Sequence, residues 1–334
     1  MTYETAARPA PSASATTVAS NLFVAAHKDR AVVLGDRLAY LVQDPDAFVA
    51  MIKDGFRELA DPVYADGSRH IAPGLGPILG VRLPLMEAAD KAFKRGTRKT
   101  PTTLLIDVMD RLTREELREL RWFGIWNLGR LLPTDPERTW QLLRRAARES
   151  DEWITVDTLA HPYGEGILRD PRRWAEIELL ACSESLWERR LVGSTIATIP
   201  HVRGITGGRS PAVVGRSLAL IGGLIGDAEP DVQKALSWAL RNLAQFDQPS
   251  VSRFLEAETE MAGRTTDGHR AWVVRDSLSK LPPETAAVLR GRLDGIRRRP
   301  GAPSSSHAAA AAAEFNHATT PGAAPRPAHS QMEA

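Results

Sequence analysis

"TREELRELRWFGIWNLGRLL", Thr113 to Leu132, runs directly into "PTDPERTWQLLRRAARES", Pro133 to Ser150, and the fold turns on how this stretch is read. In the first half Thr113 and Glu116 have the spacing of a capping box. Leu117, Leu120, Ile125, Leu128 and Leu131 then approximate the apolar stripe of a helix. The second half opens on a cap at Thr134 or Asp135. Pro136 follows in the first helical turn, where its missing N–H has no intrahelical partner to lose. Two amphipathic helices with a short joint between them predict a helical hairpin.

Working outward, the same unit recurs. "SDEWITVDTLAH" (Ser150–His161) is followed by "DPRRWAEIELLACS" (Asp170–Ser183), with Asp170 as cap ahead of Pro171. "SESLWERRLVGSTIATIP" runs to a stop at Pro200, and "SPAVVGRSLALIGGLIG" begins again at Ser210. "EPDVQKALSWALRNLAQF", "QPSVSRFLEAETEMAG", "DGHRAWVVRDSLSKL" and "PPETAAVLRGRLDGIRRR" complete the series to Arg299. No alternating strand pattern interrupts it. Helices of similar length, paired through short joints, predict an all-α chain, an α-solenoid of HEAT-like repeats. "WERRLVGSTIATI" and "VQKALSWALRNLA" echo one another loosely, both placing basic residues on an otherwise apolar helix.

Composition bounds the function without choosing it. The chain has 334 residues, 25% charged and 43% hydrophobic, a balance typical of globular proteins. Its formal net charge of +2 does not announce a nucleic-acid binder, so the distribution of charge must decide that point. Cys182 is the single cysteine, which excludes an internal disulfide and matches a reducing cytosol. The N-terminal residues lack the apolar core of a secretory signal, and no apolar run is long enough to span a membrane. The expected location is therefore cytoplasmic. The eight histidines are scattered, and no HExxH, CxxC, P-loop or GxSxG is present, so no metal and no cofactor are expected. "GLGPILG" (Gly74–Gly80) has the wrong spacing for a dinucleotide loop, and no strand precedes it. Ala, Pro, Ser and Gly dominate both ends. Disordered tails are expected over 1–20 and 300–334, around one repeat domain over 21–299.

Three segments carry a resemblance. "DEWITVDTL" (Asp151–Leu159) is similar to a W-x-x-V-D segment. "SESLWERRLVGSTIA" (Ser183–Ala197) is similar to an S-x-x-x-W-x-x-R-A helix. "DVQKALSWALRNL" (Asp231–Leu243) is similar to a V-x-K-A-I-x-W-x-L-R helix. In this order they resemble the DNA alkylation repair proteins of HEAT-repeat type, the AlkD-like DNA glycosylases, over about 80–254. "LGVRLPLMEAADK" (Leu79–Lys91) is a poorer match to an early helix of that family. The resemblance implies a concave basic cleft that takes alkylated double-stranded DNA. It implies a monofunctional hydrolase that releases cationic N3- and N7-alkylpurines without flipping the base and without a lyase step. Asp157, Trp153 and Trp238 would be its catalytic set, and Arg190 would hold a backbone phosphate. Arg189, Lys234 and Arg241 are further candidates for phosphate contact. No protein partner is identifiable, and a monomer is expected. Leu191 and Val192 depart from the family's small residues, and "ITGGRSPAVVGRS" (Ile205–Ser217) is a long, glycine-rich connection.

The residues support such chemistry independently. Trp153 and Asp157 lie one helical turn apart, on one face. A cationic purine departs as a neutral base and needs no general acid, so one carboxylate suffices where ordinary glycosidases use two. Plainer readings stand beside this one. Tryptophans on helices are usually core, as expected for Trp122, Trp126, Trp140, Trp174 and Trp187. Asp157 and Arg190 would serve equally as a rung of the Asp–Arg ladders found between stacked repeats. The competing functions are a self-resistance glycosylase for bulky natural-product adducts, a DNA-binding repeat protein without catalysis, and a protein-binding scaffold.

Overall fold

The computed structural model describes residues 15–319, with side chains over 16–314. Among the described residues the fold is all-α, helix after helix, with one isolated bridge between Ala60 and Val81. The expected repeat architecture is present, but the chain divides into two compact units, one through Ala146 and one from Ala147.

In the first unit, α1 (Ala15–Tyr40) lies against α2 (Pro45–Glu58) and, after α3 (Pro62–Ile71), against α4 (Leu83–Gly96). Next come α5 (Thr102–Thr113), packed on α2, and α6 (Arg118–Leu131), packed on α5, then α7 (Pro136–Arg148). Asp44 and Asp61 start α2 and α3 by accepting backbone N–H groups of the first turn, each ahead of a proline. The core centres on the buried Phe93, whose ring is 5.6 Å from Phe48 and 5.7 Å from Phe123.

The stripe read over Leu120, Ile125, Leu128 and Leu131 is buried. The capping box ahead of it does not form. Thr113 is the last residue of α5, its hydroxyl donating to the Asp110 carbonyl at 2.8 Å, and α6 begins only at Arg118. Contacts remote in sequence set that start. The Arg118 N–H donates to the Pro77 carbonyl at 3.0 Å. The buried Glu119 accepts the N–H groups of Leu79, Gly80 and Val81 through its Oε1, at 2.9, 2.7 and 3.3 Å. The glycine-rich segment excluded above as a nucleotide loop thus wraps a protein carboxylate. Gly80 is required there, at φ 84° with the Asp61 carbonyl too near to admit a Cβ.

In the second unit, α8 (Trp153–Arg169) leads through a 3-10 turn, Pro171–Arg173, into α9 (Trp174–Ala181). There follow α10 (Leu186–Thr198), α11 (Pro211–Leu224), α12 (Pro230–Leu243), α13 (Gln248–Thr265), α14 (Gly268–Ser277), α15 (Pro283–Arg292) and α16 (His307–Thr319). Alternate helices form two rows. α8 packs on α10, α10 on α12 and α12 on α14, while α9, α11, α13 and α15 form the second row against them. Such stacking, in which each helix pair contacts its neighbours, is the repeat architecture the sequence predicts. Asp170, Ser210 and Asp247 each accept an N–H at the start of the helix or turn they precede.

The tails end sooner than their composition implies. Residues 15–20 are the first turns of α1, where Ser20 Oγ accepts from Arg82 at 2.6 Å. At the other end the Ser305 N–H donates to the Gly226 carbonyl at 2.9 Å, Ser305 Oγ bonds to Asp267, and α16 packs on α11. The alanine-rich stretch thus lies against α11, with Ala308 buried. The remainder of both expected tails, 1–14 and 320–334, lies outside the described residues.

Candidate functional site

The residues singled out in "DEWITVDTL" lie at the start of α8. Glu152 caps this helix, accepting the N–H groups of Ile154 and Thr155 at 2.6 and 2.8 Å and bonding to the Thr155 hydroxyl. A buried carboxylate on the first turn fixes the direction in which α8 leaves, and with it Trp153 and Asp157.

Asp157 meets α10. Arg190 donates to both of its oxygens, from Nη2 at 2.8 Å and from Nε at 3.2 Å, a bidentate pair. Ser194, one turn further along α10, donates its hydroxyl to Asp157 Oδ1 at 2.6 Å. The Asp157 side chain keeps 22% of its surface, the Arg190 side chain only 7%. The guanidinium is the sunken partner and the carboxylate the one facing outward. Arg190 is committed on its other side as well. Its Nη1 donates to the Asp231 carbonyl at 2.7 Å and lies 3.5 Å from the Asp231 carboxylate, at the start of α12. The half-buried Trp153 ring stands 5.7 Å from the guanidinium carbon, within cation–π range.

Trp153, Asp157 and Arg190 are therefore one contact group. Trp238 is half-buried on α12, and its helix is joined to that group through Asp231 rather than through the indole. The other expected cations are differently placed. Arg189 is bound to Asp227 at 2.7 Å and to the carbonyls of Ser183 and Glu184. Arg241 is bound to Asp276 and to Ser237. Lys234 is exposed, 4.0 Å from Asp231. Of the candidates for phosphate contact, Lys234 has the most exposed side chain, with Asp231 at the outer limit of an ion pair.

Ser194 and Asp231 were not legible as site residues. Ser194 carries a faint signal, since Arg190 and Ser194 are one turn apart and share a face. Asp231 depends on the register of α12 against α10, which no local pattern encodes. One turn beyond Asp157 on α8, His161 is open to solvent yet surrounded by protein. Desolvation, then the neighbouring His201, hold its imidazole below the usual histidine range, against the opposing pull of Asp157. Among the described residues, no group of His, Cys, Asp and Glu is arranged to hold a metal ion, and no helix is long and apolar enough to cross a membrane.

A family model described as DNA alkylation repair enzyme matches residues 52–281, further in both directions than the motifs reach. No curated protein matches the sequence. A solved structure described as a predicted DNA alkylation repair enzyme from Enterococcus faecalis is similar in fold. It is 14% identical, with a TM-score of 0.50 over 72% of this chain and 98% of that one.

Proposed function

The chain belongs to the DNA alkylation repair enzyme family, and from that premise we propose that it is a monofunctional DNA glycosylase for cationic N3- and N7-alkylpurines in duplex DNA. The observation that carries this reading is the cradle around Asp157. A carboxylate is held in one orientation by Arg190 and Ser194, with an open side and an indole beside it.

The chemistry follows from the charge of the leaving group. As the glycosidic bond lengthens, a cationic purine becomes neutral and the positive charge moves to the sugar. Asp157 stabilises that charge and orients a water toward the anomeric carbon, an electrostatic role that needs a fixed carboxylate. The Trp153 face, and that of Trp238 on α12, favour the cationic sugar by roughly 0.5–2 kcal/mol each. Arg190 acts in this scheme as a positioning residue. It is buried beneath Asp157, so it fixes the carboxylate and ties α8, α10 and α12 together.

One observation favours a second, non-catalytic reading. The Asp–Arg–Ser grouping recurs between α12 and α14, where Asp276 takes Arg241 and Ser237. On that reading Asp157 is one rung of a structural ladder. The two readings separate on a single preparation. Duplex carrying 7-methylguanine, and duplex carrying a bulky N3-alkyladenine, are incubated with excess protein, and free base and abasic sites are measured beside binding. Release of 7-methylguanine supports the proposal. Release of the bulky adduct alone narrows it to self-resistance. Binding with no release from either substrate leaves the ladder reading.

A further inference from the structure

The connection from α10 to α11, residues 199–210, holds an arginine that forms no ion pair with a carboxylate among the described residues. Arg209 lies with its guanidinium carbon 4.1 Å from the centre of the Phe246 ring, and its Nε donates to the Pro200 carbonyl at 2.9 Å. These two contacts fix the plane of the guanidinium. Neither neutralises it, and the side chain is exposed. The contrast with the other arginines near the cradle is sharp. Arg189, Arg190 and Arg241 are each bound to an aspartate.

Two imidazoles belong to the same surroundings. His201 meets the same Phe246 ring edge-on, at 5.4 Å, and His201 is in turn close enough to His161 to act on it electrostatically. The aromatic ring thus carries Arg209 over its face and has His201 roughly perpendicular to it. His161 stands one helical turn from Asp157, about 6 Å along the α8 axis at 1.5 Å per residue. The backbone of the connection is built for this placement. Gly204 and Gly207 sit at φ 76° and 102°, where a side chain is strained, and the Ile199 carbonyl lies 2.7 Å from where a Gly208 Cβ would stand. The Ser210 N–H closes the turn on the Gly207 carbonyl at 2.9 Å.

We propose that Arg209, with His201 beside it on the Phe246 ring, forms a binding site for a backbone phosphodiester of the DNA. An oriented guanidinium with free Nη groups presents the planar fork that phosphate oxygens accept. The DNA ligand rests on the glycosylase reading, whereas the phosphate site does not.

The test uses the full-length protein and two readouts. In the first, affinity for a duplex carrying 7-methylguanine is measured against salt concentration for wild type, Arg209→Gln, Arg209→Lys and Arg203→Gln. Arg203 is the control, exposed on the same connection and without a hydrogen bond or ion pair among the described residues. Each phosphate contact contributes a slope of about −0.9 in log K against log salt. Arg209→Gln is expected to lower the slope magnitude by about one and to weaken binding roughly tenfold at the lowest salt. Arg209→Lys is expected to keep most of the slope while losing affinity, since it keeps the charge but not the plane. Arg203→Gln is expected to change neither. Equal effects of Arg203→Gln and Arg209→Gln, or an unchanged slope in Arg209→Gln, would overturn the site.

In the second readout, inorganic phosphate is titrated while the His161 and His201 ring protons are followed by NMR. Saturable shifts in wild type that are lost in Arg209→Gln support the site even if duplex binding fails, which would then count against the glycosylase reading alone. Absence of shifts in folded wild type overturns the site.

Discussion

Arg190 has both sides of its guanidinium engaged, toward Asp157 on α8 and toward Asp231 on α12, with the Trp153 ring nearby. Removing it strands a partly buried carboxylate and cuts the tie between three helices. Arg190→Ala should therefore cost about 2–4 kcal/mol of stability, read as a shift in the midpoint of denaturant unfolding. Unchanged stability with weakened DNA binding would instead make Arg190 a phosphate ligand. The pairing of Trp153 with Asp157 was legible, because helical spacing alone puts them on one face. That Arg190 faces inward was not legible, since burial depends on how α10 lies against α8 and α12. In the first unit, Glu119 shows a related hidden constraint. Burial is the leading effect and raises its carboxyl above the ordinary glutamate value of 4.5, although the N–H groups of Gly80, Val81 and Leu79 oppose the rise. Between the unfolded value and the raised folded one, the folded state therefore holds a proton that the unfolded chain has released. This contribution is complete below the unfolded value and is lost as pH rises through the raised folded one. Thermal unfolding across that window should show Glu119→Gln with a flatter pH dependence than wild type.

At the scale of elements, α10 approaches α12 at Gly193, where an added Cβ would lie 2.9 Å from backbone and side-chain carbons of Ala235. Gly193→Ala should cost about 1–3 kcal/mol through overpacking, read by unfolding, with base release falling as the cradle on α10 shifts. The buried Leu191 and Val192 fill the space beside that contact, so the sequence's departure from small residues there is absorbed in the core and does not reach the site. Most helices could be placed from prolines, caps and apolar stripes, as at Asp170, Ser210 and Pro230. The start of α6 could not. A good local capping pattern at Thr113 lost to the bonds that Arg118 and Glu119 make with residues 77–81, some forty residues away in sequence. Propensity gives way to tertiary hydrogen bonds wherever the polar groups involved are buried.

Over the whole molecule, composition misled at the ends. The stretch around "PSSSHAAAAAA" has too few large apolar side chains to fold alone, yet Ser304, Ser305 and Ser306 bond to Gly226, Asp267 and one another ahead of α16. Ending the chain at Arg299 should lower the melting temperature of the second unit, by about 2–4 °C for each kcal/mol lost, and an unchanged transition would show the docking to be idle. The proposed chemistry centres on the carboxylate of Asp157. Its most direct test is single-turnover release of 7-methylguanine from duplex DNA by wild type and by Asp157→Asn, which keeps the size and removes the charge. The cradle predicts a variant slower by two orders of magnitude or more, about 2.7 kcal/mol of barrier, with duplex affinity little changed. A variant that releases the base as fast as wild type would contradict it.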